Sequence, residues 1–222
     1  MLVTLGIIGI VAAMTLPMLA ENYQRRVIET RLKKFYTTFN QAILRSIDVN
    51  GPYEGWIYWN IGKKDENGNY ISAVVDNDRS FSFYLRPYLS IIQTQKVIYT
   101  NGEENVLYYF SDGSAFMFHE NWNRLIRYYP KDPVRCLKQA AINRCGVCEF
   151  RFHFNPLEKG SGWKYLKGKG LEPALFCWDG KVDTLYNHST YGCSVGDGVY
   201  CAALIQYNNW EFPPDYPRKI RY

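Results

Sequence analysis

The sequence LVTLGIIGIVAAMTLPMLA, from Leu2 to Ala20, decides the fold of this chain. It contains no charged side chain. As an α-helix it would rise ~1.5 Å per residue, which makes it about as long as the ~30 Å hydrocarbon core of a bilayer. A polar, periodic sequence follows without a break, so we expect one long helix whose first part, the apolar segment Leu2–Ala20, precedes a soluble head.

Two simple interpretations of the apolar segment are a secretory signal peptide and a plain membrane anchor. A signal peptide has a basic region, an apolar run of ~7–15 residues and a cleavage site with small residues. Here the run is longer, no Lys or Arg precedes it, and Met18-Leu19-Ala20 is a poor cleavage site. A plain anchor stays open as an alternative.

A third interpretation rests on the small residues of the segment. Gly9 and Ala13 lie four residues apart, on one face of a helix, and Gly6 and Ala12 keep the helix slim. Small residues at this spacing let helix backbones approach closely. Pro17 is internal, and we expect it to kink or open the helix locally.

The run Ile7-Ile8-Gly9-Ile10-Val11-Ala12-Ala13, followed by Leu16-Pro17, resembles the N-terminal segment of type IV pilins and type II secretion pseudopilins. The resemblance implies a helix that anchors the subunit in the inner membrane and then packs into a filament core, with a periplasmic or extracellular head. It implies the partners of that family: copies of the subunit, other pilin-like subunits, the inner membrane and a prepilin peptidase. The residues that would form the filament core are Gly6, Ile7, Ile8, Gly9, Ala12, Ala13, Leu16 and Pro17.

The peptidase site of that family, a Gly before a Phe-Thr-Leu-x-Glu run, does not occur in this sequence. By the resemblance, Met1 falls just after the position of that Glu. We therefore expect the chain as written to lack its true start, and the processing residues correspond to no residue here.

Length and charge indicate one helix and one domain. The chain has 222 residues, and the part beyond the helix is long enough for a single core. The net charge is +5. We place the boundary between residues 1–48 and the head, residues 49–222. The charges of the head are nearly balanced, which argues against a nucleic-acid partner, because such a protein needs a concentrated basic face.

Six cysteines all lie in the head, which favours an oxidising compartment. Cys193 and Cys201 bracket a turn-rich loop, and we expect them to pair. Partners for the other four, Cys136, Cys145, Cys148 and Cys177, stay open. Cys145 and Cys148 form a C-x-x-C that could be redox-active or bind a metal, but no second C-x-x-C follows. We favour structural disulfides with no free thiol, no metal and no cofactor.

After the apolar segment, Glu21 to Ile47 continues the helix. Its apolar face is expected to pack on a sheet, and Asn50-Gly51-Pro52 ends it. The residues of that face are Ile28, Leu32, Phe35, Phe39, Ala42 and Ser46, with Val27, Tyr36 and Ile43 widening it.

The head shows the patterns of an antiparallel sheet. Asp112-Gly113 predicts a hairpin of 106–110 with 115–118. The strands and helices that we further expect are a helix after Ser80 reaching Ile92, strands over 122–129, 148–154 and 200–207, and a second Asp-Gly hairpin of 175–178 with 181–185. The fold class is therefore α+β, with a long N-terminal helix packed on an antiparallel sheet.

Other motifs are weak. Asp65-x-Asn67-x-Asn69 begins like a calcium loop, but Tyr70 replaces the required Gly, so we expect a solvated turn. A set of aromatic residues, Trp56, Tyr58, Trp59 and Trp210, could form an exposed binding patch. No catalytic motif occurs. We expect a filament subunit and not an enzyme; the alternatives are an anchored extracytoplasmic binding module and, less favoured, an anchored exported enzyme.

Overall fold

The computed structural model describes residues 2–56, 80–98, 104–118, 125–154 and 161–220, with the side chains of the N-terminal helix described from Leu19 onward. The calcium-like sequence at Asp65 and the aromatic residues Tyr58 and Trp59 lie outside these residues. The fold is α+β, as predicted: a long N-terminal helix and a six-stranded antiparallel sheet.

Helix α1 (Leu2–Asn50) is a single α-helix of 49 residues that continues through Pro17. It ends where the sequence predicts. Gly51 has a φ of +78°, a conformation that glycine adopts at little cost, and Pro52 cannot continue the helix.

The sheet is a meander in which every strand pairs with its neighbours in sequence. Its strands are β1 (Ile91–Ile98), β2 (Glu104–Phe110), β3 (Ala115–Phe118), β4 (Leu125–Tyr129), β5 (Phe150–Phe154) and β6 (Leu171–Pro173). The short helices are α2 (Pro133–Leu137), α3 (Val182–Asn187) and α4 (Cys201–Tyr207). Residues 80–84 are also helical, and single 3₁₀ turns lie at Tyr53–Gly55, Arg86–Tyr88, Ala141–Asn143 and Ser161–Trp163.

One face of the sheet packs on α1, as the helical periodicity predicts. The α1 residues buried there are Ile28, Leu32, Phe35, Phe39, Ala42 and Ile43. Phe35 stacks on Tyr128 of β4 at 4.1 Å between ring centroids and meets Phe152 of β5 edge to face at 5.2 Å. Burying a side chain of this size contributes about 1.5–3 kcal/mol.

The other face of the sheet carries a smaller core. Leu107, Ala115, Met117 and Tyr129 pack there against the disulfide between Cys136 and Cys148. This disulfide fastens α2 to the segment that leads into β5. The central strands are therefore covered on both faces, which explains why every residue of β3 and β4 is buried.

Four expected elements differ from the structure. The helix predicted after Ser80 ends at residue 84, and β1 begins at Ile91, within the predicted helix. Residues 181–185 were expected to form a strand but lie at and within α3, and residues 175–178 form a turn in which Cys177 has a φ of +62°. Residues 200–207, expected as a strand, contain α4. For residues 200–207 the cause is that the short apolar run Ala202–Ile205 is wholly buried and has no period that separates a helix from a strand. For the second hairpin, the Asp179-Gly180 sequence predicts a turn between strands, but here it precedes a helix.

The prediction of a single-pass inner-membrane protein with a transmembrane helix is also wrong. Among the described residues, no helix is both long and apolar enough to cross a membrane. Where the side chains of α1 are described, charges enter at Glu21 and recur every few residues, and charged groups are costly inside a bilayer.

Candidate assembly site at the N-terminal helix

Helix α1 is only partly covered by the head. Its described side chains from Leu19 to Val27 are exposed or half-buried, and Ile28 is the first that is buried. Leu19 and Tyr23 are large apolar side chains with most of their surface in solvent. The helix thus leaves the head near residue 27 and continues toward Leu2, at ~1.5 Å per residue.

On one side, the β2–β3 turn and the end of β4 hold α1. The guanidinium of Arg31 donates to the carbonyl oxygens of Pro130 and Asp112, both at 2.5 Å. Lys34 forms a salt bridge with the Asp112 carboxylate at 2.9 Å. Tyr128 donates its hydroxyl to the Arg31 carbonyl at 3.1 Å. The hairpin turn predicted at Asp112-Gly113 therefore also positions the helix.

On the other side, the C-terminal tail, residues 208–220, holds α1. The Phe212 backbone N–H donates to the Glu29 carboxylate at 2.7 Å, and the Arg25 guanidinium lies 5.6 Å from the Phe212 ring centroid. About two turns after Glu29, Tyr36 packs on Trp210 at 4.9 Å between ring centroids. These contacts fix the angle at which the helix leaves the head.

Two grooves flank α1 at this exit. The first, about 740 Å³, lies between the helix and the tail; it is lined by Asn22, Arg25, Arg26, Glu29, Glu211 and Phe212, among others. The second, about 390 Å³, lies between the helix and the hairpin turn; its lining includes Tyr23, Val27, Arg31, Asp112, Lys131 and Asp132. Both combine charges of both signs with apolar surface.

The residues predicted to form the filament core, from Gly6 to Pro17, all lie within α1. Their contacts stay a prediction, because the described side chains begin at Leu19. The predicted aromatic patch is not an exposed cluster in the described residues. Trp56 is only 5% exposed and stacks on Tyr84, and Trp210 is partly buried against Tyr36.

The cysteines form two disulfides. One joins Cys193 to Cys201, the pair expected from the sequence, and the other joins Cys136 to Cys148. Cys145 and Cys177 remain thiols, so the expectation that no thiol is free is not met in the structure. Cys145 is buried and donates to the Gly198 carbonyl at 3.2 Å, and burial raises its pKa to about 12. A thiol held neutral in this way is a poor nucleophile, which argues against a redox role for the C-x-x-C.

A buried ionic cluster lies beside these cysteines, and the sequence did not predict it. Arg127 and Arg151 are cross-strand partners on β4 and β5, which places two like charges opposite each other. Glu149 lies between them: its carboxylate is 3.2 Å from Arg151 and 3.9 Å from Arg127, and it accepts the Tyr129 hydroxyl at 2.9 Å. Period-2 alternation in 148–154 suggests a solvent face for Glu149 and Arg151, but the segment around Cys136–Cys148 covers that face.

The charge of Glu149 is set by its neighbours. Burial would raise the pKa of this carboxyl, but Arg127, Arg151 and Arg144 lower it, and the hydrogen bond from Tyr129 adds to their effect. The net pKa lies below that of a free glutamate, so Glu149 is ionised at neutral pH. Its charge compensates the arginines of the cluster.

Arg218 of the C-terminal tail closes over the Cys193–Cys201 loop. Its guanidinium donates to the carbonyl oxygens of Cys193 at 2.6 Å, Gly196 at 2.7 Å and Cys145 at 3.1 Å. Charge-assisted bonds to several carbonyls fix a loop that has little regular structure. The same tail that positions α1 at Phe212 therefore also fixes the disulfide loop.

The chain belongs to a family of unknown function (DUF6613), whose model matches residues 18–220. The match covers the head and the part of α1 that packs on it. No curated protein and no solved structure matches the chain.

Proposed function

We propose that the protein is a structural subunit that assembles through the N-terminal part of α1, in the manner of type IV pilins and type II secretion pseudopilins. One observation carries the proposal: α1 is continuous from Leu2 to Asn50, yet its described side chains are buried by the head only from Ile28 onward. The resemblance of Ile7–Ala13 to that family supports it.

The apolar segment Leu2–Ala20 gives the driving force. It carries no charge, and burial of apolar surface contributes roughly 25 cal/mol per Å². Copies of the same helix can cover one another, with Gly9 and Ala13 allowing close approach of the backbones. The subunit would thus be held by its helix, while the head stays outside the packed helices.

The helix exit supports the same arrangement. A salt bridge at Lys34 and hydrogen bonds at Arg31 and Glu29 fix the direction of α1 relative to the head. A fixed direction lets every subunit present its helix in the same way, which a regular filament requires. A neighbour that packs along the helix would meet the two grooves described above.

The test compares Gly9→Leu and Ala13→Leu with Ile10→Leu in the full chain. All three keep the segment apolar, but only the first two enlarge a small residue at the expected contact. We expect both to reduce the yield of sedimentable filaments, seen by electron microscopy, by at least ~10-fold, and Ile10→Leu to leave it unchanged. Normal yield from Gly9→Leu and Ala13→Leu would contradict the proposal.

A crosslinking experiment gives a second readout. In a Cys177→Ser chain, Leu19→Cys places a thiol on the exposed part of α1, and Ile142→Cys places one at an exposed position of the head. Because each chain then has one accessible thiol, we expect a bifunctional maleimide to give a crosslinked dimer from Leu19→Cys and not from Ile142→Cys. Equal patterns would show that the helix is not the contact.

A further inference from the structure

The C-terminal tail is held by side chains and not by regular secondary structure. Residues 208–220 form turns and bends after α4 and contain neither a helix nor a strand. Pro213, Pro214 and Pro217 have a fixed φ and lack a backbone N–H, which makes the tail stiff. We expect a stiff segment without ladder hydrogen bonds to open as one unit, so that contacts at its two ends depend on each other.

One end of the tail holds α1. The Phe212 N–H donates to the Glu29 carboxylate at 2.7 Å. The ring of Phe212 meets that of Tyr216 edge to face at 4.7 Å between centroids, and the Tyr216 hydroxyl donates to the Gly146 carbonyl at 2.6 Å. Two buried aromatic rings therefore link the contact with α1 to the segment that follows Cys145.

The other end of the tail lies on the loop closed by the Cys193–Cys201 disulfide. Two of the carbonyl oxygens that accept from Arg218, those of Cys193 and Gly196, belong to this loop. The guanidinium fits because residue 198 is a glycine with a φ of +87°; a Cβ on Gly198 would lie 2.8 Å from Cζ of Arg218. The loop thus forms a slot for one arginine of the tail.

We propose that the tail is a latch that closes on oxidation: Arg218 binds the disulfide-closed loop, and this holds Phe212 against Glu29 and fixes the direction in which α1 leaves the head. Without the Cys193–Cys201 bond the loop samples more conformations, and its carbonyl oxygens are no longer held in place for a guanidinium. The direction of α1 is therefore fixed in the oxidised chain and not in the reduced one. The latch does not rest on assembly through α1.

Closing the latch consumes a disulfide oxidant. Cys193 and Cys201 lose two protons and two electrons and form one S–S bond, while the oxidant accepts both electrons and leaves as two thiols. The other disulfide gives a matched control. Cys136 and Cys148 belong to the core on the opposite face of the sheet, whereas Cys193 and Cys201 belong to the core that contains Phe212.

Hydrogen exchange of the Phe212 amide in the full-length chain tests the latch, since this N–H binds α1. Arg218→Ala should speed its exchange at least ~10-fold, because the tail then opens without breaking its bonds to the loop. Arg135→Ala, at an exposed arginine of α2, is the control and should leave the rate unchanged.

A glycine pair tests the slot itself. Gly198→Ala should speed exchange of the Phe212 amide as Arg218→Ala does, because the added Cβ takes the space of the guanidinium. Gly168→Ala has a similar backbone cost, since Gly168 has a φ of +68°, but its Cβ would meet no atom within 4 Å. It should leave the exchange of this amide unchanged.

Removing each disulfide in turn tests the dependence on oxidation. The chain with Cys193→Ser and Cys201→Ser is compared with the chain with Cys136→Ser and Cys148→Ser. The two bonds span 8 and 12 residues, so their removal should cost similar stability. We expect the first pair to speed exchange of the Phe212 amide at least ~10-fold and the second pair to leave it unchanged.

The direction of α1 is measured with two spin labels, in a full-length Cys177→Ser chain diluted with unlabelled copies. Leu19→Cys and Phe83→Cys place the labels at exposed sites on α1 and on the head. Adding Arg218→Ala should broaden the distance distribution, and adding Gly9→Leu should not, which separates the latch from assembly. A narrow distribution in Arg218→Ala, an unchanged Phe212 amide in that variant, or equal effects of the two disulfide removals would overturn the proposal.

Discussion

Among single residues, Glu149 supplies the negative charge of the buried ionic cluster. It is 1% exposed and lies between Arg127 and Arg151. Replacement by Gln keeps the shape but leaves the arginines without a counter-charge, and removing one member of a buried ion pair costs about 3–5 kcal/mol. We expect Glu149→Gln to lower the free energy of unfolding in urea by that amount. Glu104→Gln, an exposed pair on β2, should change it by less than ~0.5 kcal/mol.

The pH dependence follows from the lowered pKa of Glu149. The folded protein binds this proton more weakly than the unfolded chain, whose glutamates titrate near ~4.3. The contribution of Glu149 is therefore complete above that pH and is lost as the pH falls toward the folded pKa. The difference in unfolding free energy between the native chain and Glu149→Gln should accordingly shrink below about pH 4.3. A constant difference down to pH 3 would contradict this assignment of charge.

The two thiols should differ in reactivity. Cys177 is exposed, whereas Cys145 is buried and its pKa is raised to about 12. In the unreduced protein we expect a thiol reagent to modify one cysteine in the native state and two in urea. In Cys177→Ser we expect the reagent to modify no cysteine in the native state and one cysteine in urea. Two fast-reacting thiols in the native chain would show that Cys145 is not buried.

At the scale of elements, Phe35 of α1 packs against the sheet and is only 2% exposed. Its ring stacks on Tyr128 and contacts Phe39, Phe116 and Phe152. Removing a buried ring costs about 3–5 kcal/mol. We expect Phe35→Ala to lower the free energy of unfolding by this amount, measured by denaturant titration. Phe83→Ala, the same change at a largely exposed site, should cost under ~1 kcal/mol.

Some elements could be predicted because local signals suffice. The apolar period of α1 predicted its buried face, and Asp112-Gly113 predicted the β2–β3 hairpin. Strand β1 was missed because the helical spacing from Phe81 was extended to Ile92, although the helix there ends by residue 84. The charge cluster at Glu149 could not be predicted, because it depends on which distant segment covers the second face of the sheet.

At the scale of the whole molecule, the point near residue 27 where α1 leaves the head also separates the α1 residues that stabilise the head from those that do not. The described α1 residues before Ile28 are not buried, while Ile28, Leu32 and Phe35 belong to the core. Removing residues 1–23 therefore takes no described buried side chain from the head. It breaks the partly buried salt bridge of Arg25 with Glu21, an i,i+4 pair on one helix, which is worth about 0.3–0.5 kcal/mol.

We expect the chain from residue 24 to 222 to fold with a urea midpoint close to that of the full chain and to stay monomeric in sedimentation. The chain from residue 37 to 222 loses three core side chains, each worth about 1.5–3 kcal/mol. That loss is comparable to the entire stability of a small domain, roughly 5–15 kcal/mol. It should therefore lack the cooperative transition, seen by near-UV circular dichroism. If the longer truncation folded as well as the shorter one, α1 would not be part of the core. If the shorter one failed to fold, the apolar segment would have to pack on the head, and it could not be free to join other subunits.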